Sequence, residues 1–196
     1  MIVYKGMETI LALEIPTRDE AADVSAQQRL EQLFDAHRDR LFHLALRLTG
    51  GRDEALDLVQ ETFVRATRRL HAIPEPEPAA GRWLVRVLVN LVRDRWRRQR
   101  RRGVDAELPV ALPAPGSPQS RTVARLAVHQ ALATLAPRRR AIVVMTEMDG
   151  KTSREAAEVL GMRPVTVRWH LAAARKQLQE VLAPYAAPKP SPEATP

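Results

Sequence analysis

Between Trp83 and Arg102 the apolar positions fall into two adjacent strips. Leu84, Val87, Leu88 and Leu91 recur at i, i+3, i+4 and i+7, which is one face of a helix, and Val85, Val89, Val92 and Trp96 form a second strip beside it. One polar stripe runs between them: Arg86, Asn90, Arg93 and Arg97, at i, i+4, i+7 and i+11. The pattern predicts a helix buried around most of its girth, with one rigid row of donors turned outward. It ends in Arg97-Arg98-Gln99-Arg100-Arg101-Arg102. Upstream, Leu30, Leu33, Phe34, Leu41, Leu44, Ala45 and Leu48 keep helical spacing, predicting a helix over Ser25–Leu48 that Gly50-Gly51 ends. A second helix is predicted over Asp53–Leu70, with Leu56, Val59, Phe63, Ala66 and Leu70 inward. Asp57, Glu61 and Arg68 lie on its other side, with Gln60 at the edge. His71–Ala80, with Pro74-Glu75-Pro76-Glu77-Pro78, reads as a stiff, non-helical, acidic connector.

The second half repeats the helical pattern after a break. Gly103–Ser120 is rich in Pro, Ala and Gly and has no periodicity, so it reads as a linker. Arg121–Leu135 is predicted helical, with Val123, Leu126, Ala127 and Leu132 inward. Pro137 suits the first position of the next helix, which carries Ile142, Val143 and Met145 and stops at Asp149-Gly150. Thr152-Ser153-Arg154-Glu155 has the form of a capping box, followed by Ala156, Ala157, Val159 and Leu160. Gly161-Met162-Arg163 turns the chain and Pro164 opens a last helix. Val167, Leu171, Ala174 and Leu178 share its inner face. That fixes Val165, Arg168, Trp169, Ala172 and Lys176 outward, with Thr166 and Ala173 at the margin and His170 nearer the inner face. Two helices joined by a short Gly turn in this way make a helix-turn-helix. The expected architecture is all-α: two small helical domains, 25–102 and 121–182, joined by a flexible linker over 103–120. The segments 1–24 and 183–196 are expected to be disordered extensions, and Met7 stands beside Met1 as a possible start.

Charge and composition narrow the partner. Across 196 residues the net charge is +8, carried mostly by arginine, which suits bidentate contacts to phosphate or guanine. There is no cysteine, so disulfides, thiolate catalysis and the usual structural zinc sites are excluded. No apolar run approaches the roughly 18 residues of a membrane span, and the N-terminus lacks the order of a signal peptide. A cytoplasmic protein without membrane insertion is expected. His37 and His43 have no metal-ligand neighbour at i+4 and read as surface or packing residues. Asp57 and Glu61 lie on an outward face near Arg65 and Arg68, which suits a salt-bridged or docking surface better than acid–base catalysis. No nucleophile–base set, phosphate loop or metal cluster is present, so neither a catalytic site, a metal nor a cofactor is expected.

Asp57-Leu58-Val59-Gln60-Glu61-Thr62-Phe63-Val64-Arg65-Ala66 closely resembles the core-binding block of the extracytoplasmic-function sigma factors of bacterial RNA polymerase. Trp83-Leu84, Arg86, Asn90, Asp94 and Arg98 resemble that family's next block, which contacts the minus-ten promoter element. Leu135 to Leu178 resembles its C-terminal domain, which contacts the minus-thirty-five element. The resemblance implies an alternative sigma factor that is not itself an enzyme. Its implied partners are core RNA polymerase (clamp and flap), promoter DNA and an anti-sigma factor. It implies that Asp57, Leu58, Gln60 and Glu61 bind polymerase. It places Arg86, Asn90, Arg93, Arg97 and Arg98 on minus-ten DNA and the last helix on the upstream element, where Arg163, Thr166, Arg168, Trp169, His170, Arg175 and Lys176 are the candidate contacts of that helix. The chain departs from the family's pattern at Trp169 and His170, and Ala172 and Ala173 replace positions that are often aromatic or basic. The loop at Pro74–Ala80 lacks the family's usual Gly and Phe. Two rivals are a stand-alone helix-turn-helix regulator and a nuclease; the first would shift an operator without polymerase, the second would cleave with added metal.

Overall fold

A computed structural model of the chain describes residues 20–102 and 121–183; the side chains of 20–23 and 121–126 lie outside that description. Every regular element among the described residues is a helix. The chain divides into two compact units, Met1–Val92 and Arg93–Pro196. The boundary falls inside a continuous helix, earlier than the 103–120 segment expected to be the linker, which lies outside the described residues. The buried positions of that helix end at Val92.

In the first unit α1 (Glu20–Thr49) and α2 (Arg52–Arg68) pack along each other. Gly50, at φ 81°, makes the reversal between them that a side chain would resist. The rings of Phe34 and Phe63 meet at 4.9 Å, and the Arg52 guanidinium covers the Phe42 ring at 5.4 Å. α1 starts five residues before the expected Ser25; residues 1–19 lie outside the described part. The inward face of α2 is also rotated from the expected one. Ala55, Leu58, Val59, Thr62, Phe63 and Ala66 are buried, while Leu56 and Leu70 are only half-buried. Thr62 is tolerated in the core because its hydroxyl donates to the Leu58 carbonyl at 2.7 Å.

A short 3-10 turn (Leu70–Ala72) leads to α3 (Glu77–Arg101). This corrects the connector expected over 71–80: α3 already begins at Glu77 and passes through Pro78. A proline in the first helical turn sacrifices no hydrogen bond, because that N–H has no partner inside the helix. Pro76 supplies the first acceptor, its carbonyl taking the N–H groups of Ala79 and Ala80 at 2.8 and 3.0 Å. The Arg29 side chain donates to the Ile73 carbonyl at 2.7 Å, tying the turn to α1. α3 approaches α1 closely at Gly81, where a Cβ would stand 2.7 Å from His37 Cε1.

The second unit holds α4 (Arg121–Ala133), α5 (Pro137–Val143), a π turn (Val144–Met148), α6 (Ser153–Leu160) and α7 (Pro164–Leu182). α7 packs against α4, α5 and α6. Arg140 is buried, and its Nη2 donates to the carbonyls of Ala133 and Leu135 at 2.8 and 3.2 Å. The Ala133 carbonyl ends α4 and the Leu135 carbonyl follows two residues on, so a buried cation caps that end of the helix. Of the residues expected inward on α4, Leu132 is buried and Ala127 half-buried, while the side chains of Val123 and Leu126 lie outside the described part. The tail expected over 183–196 also lies outside it beyond Ala183.

Candidate nucleic-acid interface

The helix-turn-helix is built from local chemistry. Thr152 caps α6: its Oγ1 accepts from the Glu155 N–H at 3.2 Å, and its own N–H and hydroxyl both donate to Glu155 Oε2 at 2.7 Å. These bonds hold the Glu155 carboxyl below its ordinary value. Gly161 closes α6 in the left-handed conformation at φ 64°, and Met162 N–H reaches back to the Ala157 carbonyl at 2.9 Å. Pro164 then opens α7 with its fixed φ.

The rotation of α7 is set by Val167, Leu171 and Ala174, all buried, with Leu178 half-buried. Arg163, Val165, Arg168, Trp169, Ala172 and Lys176 are exposed, and Thr166, His170 and Ala173 are half-buried. Trp169 is 61% exposed and Val165 58%. The indole is nonetheless held on two sides. The His170 ring meets it edge-on at 4.9 Å, and the Arg139 guanidinium of α5 lies 5.8 Å from its centroid. Burial lowers the His170 pKa, and the positive charges of Arg139 and Arg138 lower it further. His170 Nδ1 is buried without a hydrogen-bond partner among the described residues. Arg175 donates twice to Glu147 Oε1, at 2.7 and 3.1 Å, which fastens α7 to the π turn.

α3 presents the second row of donors. Leu84, Val85, Leu88, Val89, Leu91 and Val92 are buried, while Val87 and Trp96 of the two apolar strips are half-buried. Arg86 and Arg97 are exposed, and Asn90 and Arg93 are half-buried. The Arg93 Nε lies 3.6 Å from the Asp94 carboxylate, and the Arg98 Nε donates to the Asp94 carbonyl at 3.3 Å. The Arg100 guanidinium covers the Trp96 ring at 4.9 Å.

On α2, Asp57, Gln60 and Glu61 are exposed, and Glu61 pairs with Arg65 at 3.2 Å. Leu58 corrects the expectation: it is 2% exposed and belongs to the core, so it is not available at that surface. Besides Thr62, two buried polar residues carried no clear sequence signal. Arg140 is the α4 cap described above. His37 is 3% exposed between α1 and α3, with its Nε2 3.4 Å from Glu77 Oε1. Burial lowers the His37 pKa; Glu77 raises it and Arg40 lowers it. Among the described residues there is no cluster of His, Cys, Asp and Glu that could hold a metal ion, and no helix long and apolar enough to cross a membrane.

Two helices joined at a left-handed glycine, the second with arginines and a tryptophan outward, define a helix-turn-helix module. The sequence profile of Sigma-70 region 2 matches residues 33–102, and that of Sigma-70, region 4 matches residues 125–178. The ECF RNA polymerase sigma factor SigE of Mycolicibacterium smegmatis is 33% identical over 171 residues, covering 84% of this chain and 66% of the relative. SigL of Mycobacterium tuberculosis, also described as an ECF RNA polymerase sigma factor, is 34% identical over 159 residues, covering 78% of this chain and 90% of the relative. Two solved structures are similar in fold. One is the sigma factor RpoE of Bartonella quintana in complex with the anti-sigma factor NepR, with a TM-score of 0.54, 25% identity and coverage of 80% of this chain and 96% of that one. The other is CnrH in complex with the cytosolic domain of CnrY, with a TM-score of 0.55, 27% identity and coverage of 82% and 91%. The chain belongs to the ECF sigma factors of the sigma-70 family.

Proposed function

We propose that this chain binds core RNA polymerase and directs transcription initiation at promoters it selects. The observation that carries the reading is the order of three outward surfaces along one chain. A polar face on α2 comes first, the arginine stripe of α3 second and the helix-turn-helix of α6 and α7 third. In this reading Asp57, Gln60 and Glu61 dock on the polymerase clamp, and the second unit meets the flap. Arg86, Asn90, Arg93, Arg97 and Arg98 face the minus-ten element. There the arginines hold phosphates and the Asn90 amide reads a base edge. Arg163, Thr166, Arg168, Trp169, His170 and Lys176 face the upstream element. Arg175 is assigned to holding α7 against the π turn, since its Nε and Nη2 donate to Glu147, and its third nitrogen, Nη1, is left to reach a phosphate of the upstream element. The chemistry of RNA synthesis belongs to the polymerase, in the cytoplasm. An anti-sigma factor, the kind of partner seen on RpoE, is the proposed inhibitor.

Run-off transcription on a randomised promoter library tests this. Discrete transcripts should require both core polymerase and the chain. A tight operator shift by the pure protein at moderate salt, with no change in transcription by core polymerase, would make it a stand-alone regulator instead.

A further inference from the structure

Most of the outward face of α7 is basic or small, but its first two turns carry two exposed apolar side chains four residues apart. Val165 and Trp169 therefore lie one above the other on the same face. A large aromatic left this exposed beside arginines is not a core residue out of place, because Val167, Leu171 and Ala174 already fill the inner face. Its conformation is also specified. Arg139, from a different helix, lies over the ring at 5.8 Å, and His170 meets its edge at 4.9 Å. Arg138 and Arg139 precede this face on α5, and Arg163 and Arg168 flank Val165 in sequence, so the apolar pair sits in a strongly positive setting. That setting suits duplex DNA and is hostile to a basic or purely apolar partner.

In the major groove the base-pair feature that an apolar side chain recognises is the C5-methyl group of thymine. We propose that Val165 and Trp169 form a thymine-methyl reader in the upstream promoter element, with Arg139 as the positioning residue that holds the indole in its reading orientation. The inference rests on the reading of α7 as the helix that meets upstream DNA. It adds Val165 and Arg139 to the residues that set sequence preference. Ala172, next along the outward face, has no side-chain donor to compete for that base.

The test uses holoenzyme assembled from the full chain and core polymerase, on a promoter selected from a random library. Each thymine of the upstream element is replaced in turn by deoxyuridine, which removes the methyl group and keeps the pairing. At one or two positions the wild-type holoenzyme should lose about fourfold in promoter affinity, the value of burying one methyl-sized group. Trp169→Ala should abolish that penalty, Val165→Ala should reduce it, and Arg139→Gln should weaken it while the thymine remains the preferred base. If deoxyuridine costs nothing at any position, or costs Trp169→Ala as much as wild type, the methyl reader is refuted while promoter selection stands. An upstream element without an A·T pair refutes it too. Absence of promoter-selective transcription with core polymerase removes the reading of function itself, and this inference with it.

Discussion

α3 and α7 both turn arginines outward, but they are held in place differently. α3 buries Ala80, Gly81, Leu84, Val85, Leu88, Val89, Leu91 and Val92 along its 25 residues. Two apolar strips on either side of the polar stripe leave it no rotation in which the arginines could be exchanged for other residues. α7 buries only Val167, Leu171 and Ala174 along its 19 residues, a single seam. Its outward surface is wider and mixes cations with an exposed indole and small residues. A narrow row of guanidinium groups on a locked helix supplies phosphate attraction with little sequence content. A broad, chemically mixed face supplies discrimination among bases. Under the proposed function this difference puts most of the salt dependence on α3 and most of the upstream base preference on α7.

The largest expected effect breaks the locking of α3. Leu88 is fully buried, so Leu88→Ala should cost about 2–5 kcal/mol in urea unfolding. Val165→Ala on the exposed face of α7 should stay within about 0.5 kcal/mol. Next is Gly81→Ala, whose Cβ would meet the buried His37 ring at 2.7 Å. Overpacking of about 1–3 kcal/mol should outweigh the gain of up to about 1 kcal/mol from replacing a helical glycine, lowering the melting temperature. Thr152→Ala removes the cap of α6 and should cost about 1 kcal/mol, read in the same unfolding experiment. On the DNA side, Arg93→Ala and Arg97→Ala should each make the salt slope of promoter binding by holoenzyme shallower by about one, with base preference unchanged. Asn90→Ala should do the reverse. An unchanged slope in both arginine variants would reduce the stripe to a solvated surface.

The smallest effect is one of pH. The His37 pKa lies below its unfolded value of 6.5, chiefly because burial disfavours the charged ring. Between the two values the unfolded chain holds the extra proton, so stability is complete above about pH 6.5 and declines as pH falls through the window below it. Glu77 opposes this only weakly, because its side chain is 67% exposed and solvent screens it. His37→Gln should flatten that part of the pH profile in thermal melts.

Periodicity and end signals were enough to read α7's rotation, the Thr152–Glu155 cap, the Gly161 turn and both strips of α3 from sequence. These features depend on neighbours within a few residues. What escaped depends on neighbours far along the chain. Pro78 looked like a helix breaker, and only the geometry of a first turn makes it compatible with α3. Thr62 offered no apolar signal, yet its bond to Leu58 lets it share the core, which rotates α2 and buries Leu58. Nothing in the sequence set Arg140 apart from Arg138 and Arg139 beside it. Its burial follows from the unpaired carbonyls of Ala133 and Leu135, which no pattern in the sequence displays. His37 was expected to be either a surface or a packing residue, and the contact with Gly81 decides for packing. The outward positions of Asp57, Gln60 and Glu61 and of the α3 and α7 residues were legible. Their assignment to polymerase and to particular DNA elements comes from the family resemblance.

The most direct test of two interfaces with separate tasks is promoter selection by three holoenzymes, carrying wild type, Asn90→Ala or Trp169→Ser. Each is offered a library randomised at both promoter elements. Trp169→Ser should change the preferred upstream sequence and leave the downstream one intact, while Asn90→Ala should change the downstream sequence alone. Selection of the wild-type sequences by both variants would contradict the assignment of base reading to these two helices.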